Sequence, residues 1–158
     1  MLKKLMIIDD DSDDRELFSE ALTSIAPSIS CRQAGDAEEA LQMLSQEQHL
    51  PEVIFLDINL PGMSGWECLV NLKKIDRVKE IPVIIYSTSS HKRDIEIAKD
   101  LGAACFITKP DDYKILGILL KKMVQTSTED FKDTRFRIQD DCFGSNGNIH
   151  HFTSFNNN

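Results

Sequence analysis

A chain of 158 residues has room for one ordinary domain and little more. It is 41% hydrophobic and 28% charged, a mixture suited to a globular chain with one core. Its formal net charge of -8 argues against nonspecific attraction to nucleic acid or an anionic membrane, and no apolar run nears the roughly 20 residues a membrane span needs.

Met1-Leu2-Lys3-Lys4-Leu5 has the look of a secretory leader. The apolar stretch stops at Ile8, however, acids follow at once, and there is no small-residue cleavage site. Lys4 to Ile8 reads instead as a short buried strand that ends in Asp9-Asp10-Asp11. Ser12 to Ile25 carries Leu17, Phe18, Ala21, Leu22 and Ile25 at helical spacing, with Asp11 or Ser12 as the cap and Pro27 beyond the end. Ser30 to Ala34 is a weak strand, and Asp36 to Ser45 a second helix capped by Asp36. Val53 to Asp57 is an apolar run bounded by Pro51 and by Pro61-Gly62, which predicts a strand buried on both faces.

A third helix is predicted over about Gly65 to Ile75, and a buried strand over Ile81 to Ser87 with Pro82 at its start, where a lost donor is tolerated. His91 to Leu101 is a less clearly amphipathic helix with Gly102 as its C-terminal stop. Ala104 to Thr108 is a fifth strand, and Asp111 to about Gln125 a fifth helix, weakened by Gly117. Strand and helix alternate five times, which implies a parallel sheet with helices on both faces. Residues 1–125 form this domain. Residues 126–158 lose the periodicity and are rich in Gly, Asn, Ser and His. They read as a mostly disordered tail that could dock a few of its scattered phenylalanines, with no recognisable output domain. His150-His151 reads as part of a solvated tail rather than a metal site. Cys31, Cys68, Cys105 and Cys142 stand singly, with no metal-ligand spacing, and point to reduced thiols and the cytoplasm.

Four chemistry-bearing features fall at the C-terminal ends of strands. They are Asp9-Asp10 after the first, Asp57 after the third, Ser87 after the fourth and Lys109 after the fifth. In an open parallel sheet those ends share the ligand-binding edge. Each feature alone has a plain reading: an acid that begins a helix or turns a loop, a hydroxyl that approaches a helix, a solvated charge. Together they fit one reaction. Crowded carboxylates repel unless protonated or joined by a cation, and magnesium favours oxygen ligands. An ionised carboxylate is a nucleophile that needs no general base. Lys109 supplies a charged donor for phosphate oxygens and Ser87 a hydroxyl.

Four stretches carry a resemblance: Ile7-Ile8-Asp9-Asp10-Asp11, Phe55-Leu56-Asp57-Ile58-Asn59-Leu60-Pro61-Gly62-Met63-Ser64-Gly65, Pro82-Val83-Ile84-Ile85-Tyr86-Ser87, and Gly102-Ala103-Ala104-Cys105-Phe106-Ile107-Thr108-Lys109-Pro110. In this order they resemble response-regulator receiver domains of the stand-alone, chemotaxis-regulator-like type, over roughly residues 3–125. The resemblance implies a doubly wound α/β fold, a flavodoxin-like five-stranded parallel sheet in the order 2-1-3-4-5. It implies that Asp57 is the phosphoacceptor and that Asp10, Asp57 and the Asn59 backbone carbonyl ligate magnesium, with Asp9 helping through water. Ser87 takes the switch hydroxyl position, Phe106 the switch aromatic position, and Lys109 pairs with the phosphoryl group, its bond to Pro110 being cis. Asp11 competes with Asp9 for a place in the acidic pair. Position 87 is serine where threonine is commoner. Position 106 is phenylalanine where tyrosine is frequent, so any switch there works by packing alone.

The implied partners are a histidine kinase or histidine phosphotransfer protein and a downstream protein target. The implied role is a signalling switch rather than a metabolic enzyme, in which Phe106 turns inward and the surface of the fourth helix, fifth strand and fifth helix changes. Two rivals remain. A haloacid-dehalogenase-like phosphatase also uses Asp, magnesium and Lys, but its nucleophile follows the first strand with a second Asp two residues on, where this chain has Asn59. The other rival is a receiver-fold interaction module that is never phosphorylated.

Overall fold

The structure, a computed structural model, describes residues 2–125 and the backbone of 152–154. Strands β1 (Lys4–Ile8), β2 (Ser30–Ala34), β3 (Val53–Leu56), β4 (Val83–Ser87) and β5 (Cys105–Thr108) alternate with helices α1 (Ser12–Ile25), α2 (Ala37–Gln46), α3 (Gly65–Lys74), α4 (Lys92–Asp100) and α5 (Tyr113–Gln125). A short β6 follows at Phe152–Ser154. The sheet runs β2-β1-β3-β4-β5-β6. The first five strands are parallel throughout, in the expected order. β6 is an addition to the expected sheet. It pairs antiparallel with β5, Phe106 opposite Thr153. A strand at a sheet edge presents unpaired backbone groups, and a passing segment of chain satisfies them. Residues 152–154 are the part of the 126–158 tail that the structure describes, and there the chain pairs with the sheet. Elsewhere in the tail, including Cys142, His150 and His151, the reading as mostly disordered lies outside the described residues.

Each central strand is buried on both faces, and its alternate residues feed two cores. Leu5, Ile7, Val53, Phe55, Ile84, Cys105 and Ile107 join Phe18 and Leu22 of α1 and Leu116 and Leu120 of α5. Met6, Ile8, Ile54, Leu56, Ile85 and Phe106 join Leu44 of α2, Leu69 of α3 and Ala98 of α4. All four residues of β3 are fully enclosed. A buried aliphatic or aromatic side chain contributes about 1.5–3 kcal/mol, so this strand is a large fraction of what holds the domain together.

Local chemistry sets the helix starts. Asp11 caps α1 by accepting from the Asp13 and Asp14 amides, and Asp36 caps α2 by accepting from Glu39 N. Ser64 and Glu67 form a reciprocal capping box on α3. Helix α4 lacks a side-chain cap hydrogen bond from His91 and buries Ala98 alone, in keeping with its weak amphipathic pattern. Gly102 closes it with a φ of 89°, a conformation that favours glycine. The Lys109–Pro110 bond is a correction to the expected cis form: among the described residues no peptide bond is cis. The trans X–Pro amide is intrinsically favoured by about 0.5–1 kcal/mol.

Candidate functional site

The ladder hydrogen bonds run one residue past the strand ends, and this builds the site. Asp9 N donates to Ala34 O at 3.0 Å, and Asp57 N donates to Ile8 O at 2.9 Å. Lys109 N donates to Ser87 O at 2.7 Å, which joins the tips of β4 and β5. The four features foreseen at the strand ends thus meet at one edge of the sheet.

Asp9 is fully buried and Asp57 nearly so, while Asp10 is exposed. Each of the three offers a carboxylate oxygen within 4.8 Å of the others. Asp11 is not among these three; its side chain caps α1 by accepting from the Asp13 and Asp14 amides. Asp9 Oδ1 accepts from Asp11 N at 3.0 Å, and its carbonyl accepts from Arg15 Nη1 at 2.6 Å. Asp57 Oδ1 accepts from Asn59 N at 3.2 Å, which holds the Asn59 backbone against the carboxylate.

Lys109 sits at the centre. Its Nζ lies 3.0 Å from Asp57 Oδ2, 2.8 Å from Asp14 Oδ2 and 2.7 Å from Asp9 Oδ2. The first two are hydrogen bonds. The Asp9 contact is an ion pair whose angle falls outside hydrogen-bond geometry, so Asp9 Oδ2 is buried without a donor aligned to it. Beneath the ammonium, the Tyr86 ring centroid is 5.6 Å away, and Tyr86 stacks edge-on with Phe18 and Phe55. The two charges respond differently to enclosure. Burial raises the Asp9 carboxyl above its ordinary value, and the pull of Lys109 does not fully offset it. Burial would lower the Lys109 ammonium, but the hydrogen bond it donates to Asp14, the adjacent Asp9 carboxylate and the charge of Asp57 outweigh it and hold the group above its ordinary value. Lys109 is therefore charged at neutral pH.

The donor set suits a hard divalent cation. Three carboxylates converge, one of their buried oxygens lacks an aligned donor, and oxygen ligands are what magnesium and manganese select.

Ser87 is fully buried, and its Oγ accepts from Ser89 N at 3.2 Å. The loop from β4 to α4 is stitched further along. Ser89 Oγ donates to Asp94 Oδ2 and accepts from His91 N, while Thr108 Oγ1 donates to Ser89 O at 2.9 Å. Phe106 is fully enclosed, so the ring expected to turn inward is already inside in this structure. Sequence reasoning missed Asp14, Ser89 and Thr108. Asp14 had a readable signal: it precedes the buried Phe18 by four residues and Leu22 by eight, on the same inward face of α1. Ser89 and Thr108 had none, since their bond joins residues 19 apart, one in the loop after β4 and one at the end of β5.

A family model described as the response regulator receiver domain matches residues 5–120. The chain is 32% identical over 122 residues to sporulation initiation phosphotransferase F of Bacillus subtilis, covering 77% of this chain and 94% of that protein. Longer curated relatives match over part of their length: 52% of one and 15% of another. Among solved structures, the phosphorylated cyanobacterial phytochrome response regulator RcpA superposes with a TM-score of 0.72 at 32% identity, covering 79% of this chain and 93% of that one. The manganese-bound form of response regulator Rcp1 superposes with a TM-score of 0.68 at 27% identity, covering 77% and 91%.

Proposed function

Because the chain belongs to the response regulator receiver family, we propose that it is a phosphorylation-dependent switch in which Asp57 accepts a phosphoryl group from a phosphohistidine. One observation carries this reading: the Asp57 carboxylate clusters with the carboxylates of Asp9 and Asp10 and lies 3.0 Å from the Lys109 ammonium. A carboxylate oxygen of Asp57 attacks phosphorus as the P–N bond to the donor imidazole breaks, and the bonding pair stays on the imidazole nitrogen. Lys109 donates to a phosphoryl oxygen and balances charge that develops there. Asp10, Asp57 and the Asn59 carbonyl would hold magnesium, with Asp9 acting through water. The ion, when bound, neutralises phosphoryl charge.

Phosphorylation adds about -1.5 to -2 of charge and new acceptor oxygens at this edge. The Ser87 hydroxyl turns to donate to one of them. That movement disturbs the bond from Ser89 N, and with it the loop that Asp94 and Thr108 hold. Phe106 then repacks within its enclosed site, and the surface of α4, β5 and α5 shifts for a protein partner to read. The phosphoryl group must favour the shifted arrangement by a differential free energy for any population to move. The donor is a histidine kinase or histidine phosphotransfer protein. The chain assists its own phosphoryl uptake and loss, and turns over no separate substrate. Among the described residues Cys31, Cys68 and Cys105 are free thiols, which fits a cytoplasmic setting. Acetyl phosphate labelling with magnesium tests the reading: the wild-type chain takes up one phosphoryl group and Asp57→Asn takes up none. A wild-type chain that never labels would leave the interaction module, and steady release of phosphate from small esters would favour the phosphatase.

A further inference from the structure

The ammonium of Lys109 has three N–H donors, and three carboxylates surround it. Their fates differ once Asp57 carries a phosphoryl group. The Asp57 oxygens become part of an acyl phosphate and lose their charge, so the donor they held passes to a phosphoryl oxygen. Asp9 is fully buried, its contact with Nζ is poorly aligned, and its carboxylate belongs to the cluster with Asp10 and Asp57. Asp14 alone holds Lys109 by an aligned hydrogen bond, at 2.8 Å, from outside that cluster. It sits on the first turn of α1, and its side chain is 34% exposed.

We propose that Asp14 is a positioning residue for phosphoryl capture: it anchors the Lys109 ammonium from the α1 side so that one donor stays aimed at the phosphoryl oxygens. This rests on the phosphoacceptor reading of Asp57 and deepens it. A lysine stem has four rotatable carbons and loses much side-chain freedom when its head is held. Without the Asp14 tether, the head would have to be ordered by the phosphoryl group itself, at the expense of binding.

The sign of the effect separates this role from a general electrostatic one. Asp14 is an anion close to a site that takes an anion. If it acted through its field alone, removing the charge would tighten anion binding. If it acts by holding Lys109, removing it weakens binding in spite of the lost repulsion.

The probe is beryllofluoride, a phosphoryl mimic, titrated in magnesium and followed by the fluorescence of Trp66, the sole tryptophan. Asp14→Asn retains an acceptor oxygen, and binding is expected to weaken about 3-fold. Asp14→Ala retains none, and binding weakens about 10-fold, the graded loss that a single charge-assisted hydrogen bond gives. Magnesium affinity without beryllofluoride stays within about 2-fold, because Asp14 lies outside the cluster of metal-ligating oxygens. Unchanged or tighter beryllofluoride binding in both variants overturns the inference, and so does a parallel loss of magnesium affinity. A wild-type chain that binds no beryllofluoride overturns the phosphoacceptor reading as well, which distinguishes the two failures.

Discussion

Gly65 opens α3 directly against the backbone of the phosphoacceptor. Its amide donates to Ile58 O at 3.1 Å. A Cβ built there would lie 2.5 Å from Ile58 Cα and 2.9 Å from the Asp57 carbonyl carbon, and closer still to the Asp57 carbonyl oxygen. Ordinary carbon contacts need about 3.5–4.0 Å, so backbone must move by about 1 Å. No side chain can rotate away, because all three neighbours are main chain. Overpacking of this kind costs about 1–3 kcal/mol, and the better helix propensity of alanine returns at most about 1 kcal/mol. Gly65→Ala should therefore lose about 1–2 kcal/mol, or about 4–8 °C in melting temperature for a domain of this size. The atoms displaced carry Asp57 itself, and about 1 Å of misplacement at a reacting group can cost on the order of 100-fold in rate. Thermal unfolding by circular dichroism and acetyl phosphate labelling read the two effects. Gly117→Ala is the control: its Cβ would meet nothing within 4 Å. It should be neutral or stabilising. Wild-type melting in Gly65→Ala would refute the steric argument, and a lower melting temperature with wild-type labelling would refute its coupling to Asp57.

Glu47 accepts from Lys4 Nζ at 2.6 Å and Arg32 Nε at 2.5 Å. Burial would raise its carboxyl, but these two partners win and hold it below its ordinary value. Its contribution is thus present above the ordinary glutamate pKa and lost as pH falls through the lower folded value. Glu47→Gln should cost about 1–2 kcal/mol at pH 7 in urea unfolding, and the gap should close below about pH 4. Burial pushes the Cys31 thiol up to about 11 and the Cys68 thiol up to about 12. Alkylation at pH 8, mapped by mass spectrometry, should be far slower at both in the native chain than in urea. Because the folded state holds these protons more tightly, stability should fall as pH rises from the ordinary thiol range towards 11. Phe18 is fully buried, with ring centroids 4.8 Å from Phe55 and 5.6 Å from Tyr86. Phe18→Ala should cost about 3–5 kcal/mol by denaturant titration, and a loss under about 1 kcal/mol would mean the trio is not the core it looks to be.

The order of elements was legible because hydrophobic spacing is a local property of the chain. Val53 to Leu56 could be read as doubly buried, and Asp57 as its first exit residue, from five consecutive letters. The chirality and packing rules of parallel sheets then brought Asp9, Asp57, Ser87 and Lys109 to one edge without any coordinates. Three things could not be read from hydrophobic spacing. β6 is three residues long, too short for any period to show, and its place beside β5 depends on an edge that the rest of the fold creates. The assignment of Asp11 to capping, and so of Asp9 and Asp10 to the cluster, needed the dihedral of one turn. The bond between Lys109 and Asp14 spans 95 positions. The amino-acid order by itself determined the layered sheet and which residue types stand at its C-terminal edge, since burial periodicity is written along each segment. The tertiary structure decided which carboxylate meets which ammonium atom, since that depends on how α1 packs across the sheet.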